Sequence, residues 1–480
     1  MSPQRPTVVV VGAGLAGLTC AYRLAHHEVD VILLEAQERV GGRCWSSRGW
    51  RDGQVAEHGG EHIEEGQEHI LELVNHLGLE LEHRFEETGE GSMKFGGRSM
   101  PPSDVTGMPS AITVLHNEVA DIGSPRYDVA SDAARKLDEW TVADWIDHNI
   151  DGGRKGILGQ ALEAATTLNM SFEATDLSAL SLHSMFVGGL ESLDESGGFS
   201  FGHVDGDGFP EFHQAVRAAV TDVMHVQGGN DRIVAELVER IPDGVLRMQA
   251  PISRLSRRSD GRYDVEVAGD PAVLLADQVV LALPFPCLRS VDLDAAGLSQ
   301  RRMDAIAELP MGHGTKLMLQ LERRPSNTET WPGFAVTDDP YIAFWDTSAG
   351  QPGDAGLLTF FMAGRVFHAD QAHAAATPEM LAHARQVLKN VVPGMEQHVS
   401  EKGWLDSWPD DPWSQGSYAG FAPGQFTRFF GFLPLPEQGV HFAGEHTSLG
   451  SQGYLDGAIE SGGRAARDVL TQLALTKPAR

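Results

Sequence analysis

Gly12, Gly14 and Gly17 stand at G-x-G-x-x-G spacing, and Glu35 follows 18 residues after the last of them. Glycines so placed leave backbone N–H groups bare enough to receive a pyrophosphate. A carboxylate at that distance accepts hydrogen bonds from both hydroxyls of a ribose and repels a 2′-phosphate. The chemistry implied is that of a dinucleotide lacking that phosphate.

For these residues to meet, the chain must run strand, turn, helix, strand. Residues 8–11 (VVVV) read as a buried parallel strand, 15–25 as a helix, and 31–34 as a second strand that Glu35 ends. Gly12 permits the tight turn, Gly14 the close approach of a pyrophosphate, and Gly17 the packing of helix on strand. Leu15 and Ala16 open the helix, whose free N–H groups face the phosphates.

The chain has 480 residues, more than one ordinary core holds, so two domains are expected. Lys+Arg number 37 against 67 Asp+Glu, a net charge of -30 that speaks against nucleic acid or an anionic lipid surface as partner. Cys20, Cys44 and Cys287 are odd in number and widely spaced, which fits a reducing, cytoplasmic setting without disulfides or zinc. A strand beginning by Thr7 leaves no room for a signal peptide, and no uncharged apolar run is long enough to span a membrane. The histidine-rich run EHGGEHIEEGQEH (57–69) lacks helical ligand spacing and reads as a loop and a solvated helix start, not a metal site.

Further along, 66–77 reads as an amphipathic helix, 89–110 as loop with short strands, and 111–185 as mostly helical. Thr141 and Asp144 fit a capping box. A glycine-rich loop is expected at 194–210, and VQGGN (226–230) leads into a helix at 231–239. Of the strands 245–248, 252–257, 263–267 and 278–283, the first three suggest an antiparallel meander and the fourth a return to the parallel sheet. Strands follow from 316–322 to Phe361, then a helix at 377–390, a strand at 440–443 and a helix at 457–470. The dinucleotide-type unit is thus visited at the start, in the middle and at the end.

Four segments narrow the nucleotide. RVGGRCWS (39–46) has Gly41 and Gly42 for a turn and sets the fork of Arg43 near a pyrophosphate. HGGEHI (58–63) is the second. The third is VQGGND with PISRL, where Ile252 sits on a strand. In the fourth, FAGEHTSLGSQGYLDGAIESGGRAA (442–466), a strand ends at Gly444, Glu445 follows, and a helix begins near Gly453 and Tyr454. That helix N-terminus suits the pyrimidine end of a flavin, which gains negative charge on reduction.

This set resembles the flavin-containing amine oxidases: monoamine oxidases, polyamine oxidases and L-amino acid oxidases. The likeness covers nearly the whole chain and is thinnest over 86–225. It implies an α/β fold, α+β overall, with a discontinuous Rossmann-like FAD-binding domain (1–85, 226–300 and 419–472). A substrate-binding domain of mixed sheet and helices (86–225 and 301–418) and a tail (473–480) complete it. It implies FAD contacts at Gly12, Gly14, Gly17, Glu35, Arg43, Gly60, Ile252, Gly444, Glu445 and Tyr454, extended to the flanking Leu15, Ala16, Ala36, Gly41, Gly42, Gly59, Glu61, Trp408, Gly453 and Leu455.

The resemblance also assigns chemistry. Lys316, in PMGHGTKLMLQLE, matches the family lysine that holds a water on flavin N5; Leu317, Leu319 and Leu321 give one apolar face, but alternation alone leaves the burial of Lys316 open. Tyr418, ten positions after Trp408, would stand opposite Tyr454 before the flavin, the two rings guiding an amine inward. Monoamine oxidases join FAD to a cysteine just before that tyrosine; Ser417 is here, so FAD should be non-covalent. The implied reaction takes a neutral amine to an imine, which water hydrolyses, with O2 reduced to hydrogen peroxide. Catalysis would rest on positioning, not on a protein nucleophile.

Glu61 and His62 follow the Gly59–Gly60 pair where L-amino acid oxidases often carry a carboxylate-binding arginine. An acid there suits a second cationic amine, so amines, di- and polyamines included, are favoured over amino acids. Arg365 is an arginine that keeps the amino acid alternative open, and Glu61, Glu64 and Glu65 equally fit a solvated run. Desaturases and porphyrinogen-type oxidases share the N-terminal motifs but take large apolar substrates. A homodimer is expected by family likeness alone.

Overall fold

The computed structural model describes residues 5–83, 91–101, 104–186, 223–325, 331, 333–364 and 370–476. The loop expected at 194–210 and Arg365 lie outside them.

Valine-rich strands open the chain because both faces of the first sheet are covered. Five parallel strands lie in the order Val440–Phe442, Gln278–Leu281, Thr7–Val11, Asp30–Leu34 and Leu246–Arg247. Val8, Val9 and Val10 are fully buried at its centre, opposite Val31, Ile32 and Leu33. On one face pack the helices Leu15–Ala25 and Leu455–Thr476, with Leu18, Leu24, Ile459 and Val469 in a shared core. On the other lies an antiparallel meander whose Leu255, Tyr263 and Val265 cover Val9 and Val11.

The meander differs from expectation. Its strands are Ile252–Arg257, Tyr263–Val267 and Val273–Ala276, whereas Leu246–Arg247 joins the parallel sheet beside Leu33 and Leu34. A two-residue edge pairing is too short to carry a period. The last helix runs through Thr476, so its end takes in residues expected in the tail.

The second sheet has eight strands: His373–Ala375, Val399–Ser407, Thr315–Leu321, Gly356–Met362, Ala343–Asp346, Phe334–Thr337, Ser92–Phe95 and Arg98–Met100. All neighbours run antiparallel except Phe334–Thr337 against Ser92–Phe95. The helix Pro378–Val391, capped by Thr377, covers one face by packing Leu381, Ala384 and Leu388 against Leu317, Leu319 and Phe360. The helices Met108–Ile122, Val142–Asn149 and Ile157–Met170 share a core with Met93, Phe334, Trp345 and Phe361. The capping box forms as expected: Asp144 N–H donates to Thr141 Oγ1, and Thr141 N–H to Asp144 Oδ2, each at 3.0 Å.

Candidate active site

One cavity runs from the end of the parallel sheet to the large mixed sheet. At the sheet end, Gly12 has φ +97, and a Cβ there would sit 2.8 Å from the Ala282 carbonyl oxygen. A Cβ on Gly17 would lie 1.8 Å from the Gly12 carbonyl oxygen, so only glycine lets the helix approach. Gly14 has nothing within 4 Å of that position and faces the cavity. Glu35 accepts Ala13 N–H at 2.8 Å on Oε2 and Gln37 N–H at 2.9 Å on Oε1. Each oxygen keeps a lone pair for a ribose hydroxyl.

Leu15, Ala16, Ala36, Gly41, Gly42, Gly59, Gly60, Ile252, Trp408, Gly444, Gly453 and Leu455 all line this cavity, whereas Gly17 lies behind it in the helix–strand contact. Arg43 Nη1 donates to the Ser417 carbonyl at 2.5 Å and to Glu445 Oε1 at 2.9 Å. Glu445 also accepts N–H from Ala419 at 3.3 Å and from Gly453 at 2.9 Å. One carboxylate therefore ties together three separated stretches of wall.

Lys316, Tyr418 and Tyr454 line the other end. The strand Thr315–Leu321 is buried on both faces, so Lys316 is only 6% exposed. Its Nζ donates to the carbonyls of Glu57 (3.2 Å) and Gly59 (2.8 Å) and to Glu61 Oε2 (2.5 Å). The Tyr418 phenol accepts from Ser171 Oγ at 2.6 Å. A Cβ on Gly453 would stand 3.5 Å from the Tyr418 ring, and Tyr454 is the next residue. Burial raises both phenols above their ordinary value, so both stay protonated near neutrality.

Glu61 corrects an expectation. Its carboxylate takes the Lys316 ammonium on one oxygen and the Trp345 indole N–H, at 3.1 Å, on the other. Burial favours the neutral acid, but Lys316, His225 and His62 outweigh it and hold the carboxyl down to about 2. Its charge is matched from within the protein, so it is no free acid for a cationic substrate. Glu61 and Glu64 both line the cavity, and among the described residues Glu64 has no cationic partner as Glu61 has in Lys316. Burial raises the Glu64 carboxyl to about 7. His62 lines the same wall, and burial lowers its pKa.

The 57–69 run is, as expected, a loop and a solvated helix start, exposed at Glu65, Gly66, Glu68 and His69, but Glu57, His58 and Glu61 are buried, so Glu61 is not part of a solvated run. Sequence reasoning also missed Cys287, Ala282 and Pro284 on the wall, although they follow the parallel strand Gln278–Leu281, where such sheets bind ligands. Met93, Phe334, Trp345 and Phe361 form the apolar wall of the mixed sheet, and nothing local marked them.

A model of flavin-containing amine oxidoreductases matches residues 15–470. The chain belongs to that family. It is 26% identical to flavin-containing amine oxidase A of Canis lupus familiaris over 97% of this chain and 85% of the relative. It is 24% identical to an L-amino-acid oxidase of Demansia vestigiata over 100% of this chain and 89% of the relative. The solved cyclohexylamine oxidase from Brevibacterium oxydans IH-35A superposes with a TM-score of 0.80 at 21% identity, over 98% of this chain and all of that one. The protein is an FAD-dependent amine oxidoreductase, and its residues fit the cofactor. The Gly14 approach is open, Glu35 is pre-oriented, and a continuous cavity leads to Tyr418 and Tyr454. Among the described residues no helix is long and apolar enough to cross a membrane.

Proposed function

We propose that this chain oxidises the C–N bond of a primary or secondary amine, di- and polyamines included, to an imine, with O2 as acceptor and hydrogen peroxide as product. The observation that carries the reading is the convergence of Lys316, Tyr418 and Tyr454 on one cavity end from three distant stretches of chain. Bound FAD supplies the hydride acceptor and the electrons that O2 takes up. The chain's own groups do the rest. Tyr418 and Tyr454 flank the substrate path and exclude water. The Lys316 ammonium, fixed by three acceptors, stands as a positive charge at the flavin edge, where it assists re-oxidation. Glu64, balanced near neutrality, takes the proton that a substrate ammonium must lose before oxidation.

Among the described residues, the guanidinium and ammonium groups on the cavity wall are those of Arg43 and Lys316, and each is held by a carboxylate. That supports amines over amino acids, whose carboxylate would require a free cation. We assign FAD to 1–85, 226–300 and 419–472 and the substrate to 86–225 and 301–418. Three free, buried cysteines support a cytoplasmic setting, and family likeness supports a homodimer, which light scattering tests. A peroxide-release screen over monoamines, diamines, polyamines and L-amino acids tests the function. Release with amines is expected. Release with L-amino acids alone overturns the substrate class, and flavin bleaching by amines without peroxide overturns the acceptor.

A further inference from the structure

Asp406 is completely buried, and no step above uses it. It stands directly opposite Lys316 on the neighbouring strand Val399–Ser407, so both side chains leave the same face of the sheet. His373 is its partner on the strand beyond. Asp406 Oδ2 accepts from His58 Nδ1 at 2.7 Å. Oδ1 accepts from His373 Nδ1 at 2.8 Å and from the Trp404 indole at 3.1 Å. Burial works to raise the carboxyl, but the two imidazoles outweigh it and hold it below its ordinary range.

His58 is the residue between the two carbonyls that hold Lys316. Glu57 precedes it, Gly59 follows it, and the carbonyl oxygens of both accept from the ammonium. The His58 ring also stacks on Trp45, with centroids 3.7 Å apart, and its own carbonyl accepts the Trp408 indole at 3.0 Å. The contacts close a circuit: from Lys316 across the strand register to Asp406, through the His58 ring to the backbone on either side of it, and back to Lys316 Nζ. A break at Asp406 removes the hydrogen bond that seats the ring between the two carbonyls.

We propose that Asp406 is a positioning residue for Lys316, fixing through His58 the carbonyl cradle that points the ammonium at the flavin edge. This rests on the reading of Lys316 as the group that assists flavin re-oxidation. The role is geometric. A small misplacement of a charged group beside reacting atoms lowers a rate without loss of binding.

The test reduces holoprotein with stoichiometric dithionite and follows the return of flavin absorbance on mixing with oxygenated buffer, so no amine need be known. FAD affinity of each apoprotein is measured alongside. Asp406→Asn is expected to slow re-oxidation at least about fivefold and Lys316→Met at least about tenfold, with the double variant within about twofold of Lys316→Met, because the two act as one unit. FAD affinity should stay within about threefold. Asp406→Asn at the wild-type rate, full additivity in the double variant, or a loss of FAD affinity equal to the loss of rate each overturns the proposal. Lys316→Met at the wild-type rate instead removes the reading beneath it. Should Asp406→Asn fail to fold, His373→Gln, which strips a partly exposed ring from the same carboxylate, decides. A rate lower by at least about twofold supports the proposal, and an unchanged rate overturns it.

Discussion

Lys316 Nζ lies 2.5 Å from Glu61 Oε2, and both side chains are more than nine-tenths buried. A buried pair loses most when one partner goes, because the other charge is left unmatched. Glu61→Gln and Lys316→Met should each lower the thermal unfolding midpoint, and the double variant should recover at least about half of the larger loss. Differential scanning calorimetry checks the order; strict additivity would mean that the pair is not coupled. The pair also has a pH signature. The Glu61 carboxyl, lowered from 4.5 to about 2 in the fold, contributes stability that is present above its unfolded value and lost as pH falls through about 2. Glu61→Gln should lack that acid limb.

Glu57 behaves in the opposite sense. Burial raises its carboxyl to about 8, against hydrogen bonds from Asn230 N–H and Ser46 Oγ that favour the anion. The folded state therefore binds a proton that the unfolded state has released between 4.5 and about 8, and stability from this site falls as pH rises through that window. Glu57→Gln keeps a neutral group of the same shape. It should flatten the decline of the unfolding midpoint between about pH 5 and about pH 8 by at least about 2 °C. An unchanged slope would mean that Glu57 is ionised in the fold.

The phosphate end of the site was legible because its determinants are local. Gly12, Gly14, Gly17 and Glu35 meet through one strand–helix–strand unit, whose pattern lies within 29 residues of chain (7–35). The reactive end was legible only through likeness to a family. Leu317, Leu319 and Leu321 told that Lys316 lies on the other face, but both faces of that strand are covered, so alternation could not separate core from solvent. Glu61 was read as a free acid because its partner is 255 positions away, and the Asp406–His58 bond spans 348. The short pairing of Leu246–Arg247 was misplaced for the same reason: its partner, not its composition, decides where it lies.

Tyr418 and Tyr454 are expected to serve the amine, not the grip on FAD. Tyr418 is anchored by Ser171, and the backbone of Tyr454 is bonded to Ser451 and Ala458, so each residue has support that does not depend on the cofactor. Replacing both by alanine should lower kcat/KM for the amine by at least about a hundredfold, near 2.7 kcal/mol in barrier. FAD content, read from the absorbance ratio of flavin to protein, should fall far less. Equal losses would make the rings structural supports of the cofactor.

FAD should leave the denatured chain freely. Ser417 occupies the place before Tyr418, and its Oγ accepts Gly314 N–H at 3.1 Å, a role in holding the wall. Cys44 and Cys287 do line the cavity, close enough in space to raise the question that their sequence positions did not. Burial answers it. The Cys287 thiol is pushed up to about 12 and the Cys44 thiol well above its ordinary value, so neither supplies a thiolate near neutrality, and the thiolate is the nucleophile. Acid precipitation should therefore leave all the yellow colour in the supernatant, and the intact mass should equal that of the polypeptide. Colour retained in the pellet, or a mass increased by one FAD, would place a covalent bond at one of these thiols. Cys287→Ser and Cys44→Ser would then tell which.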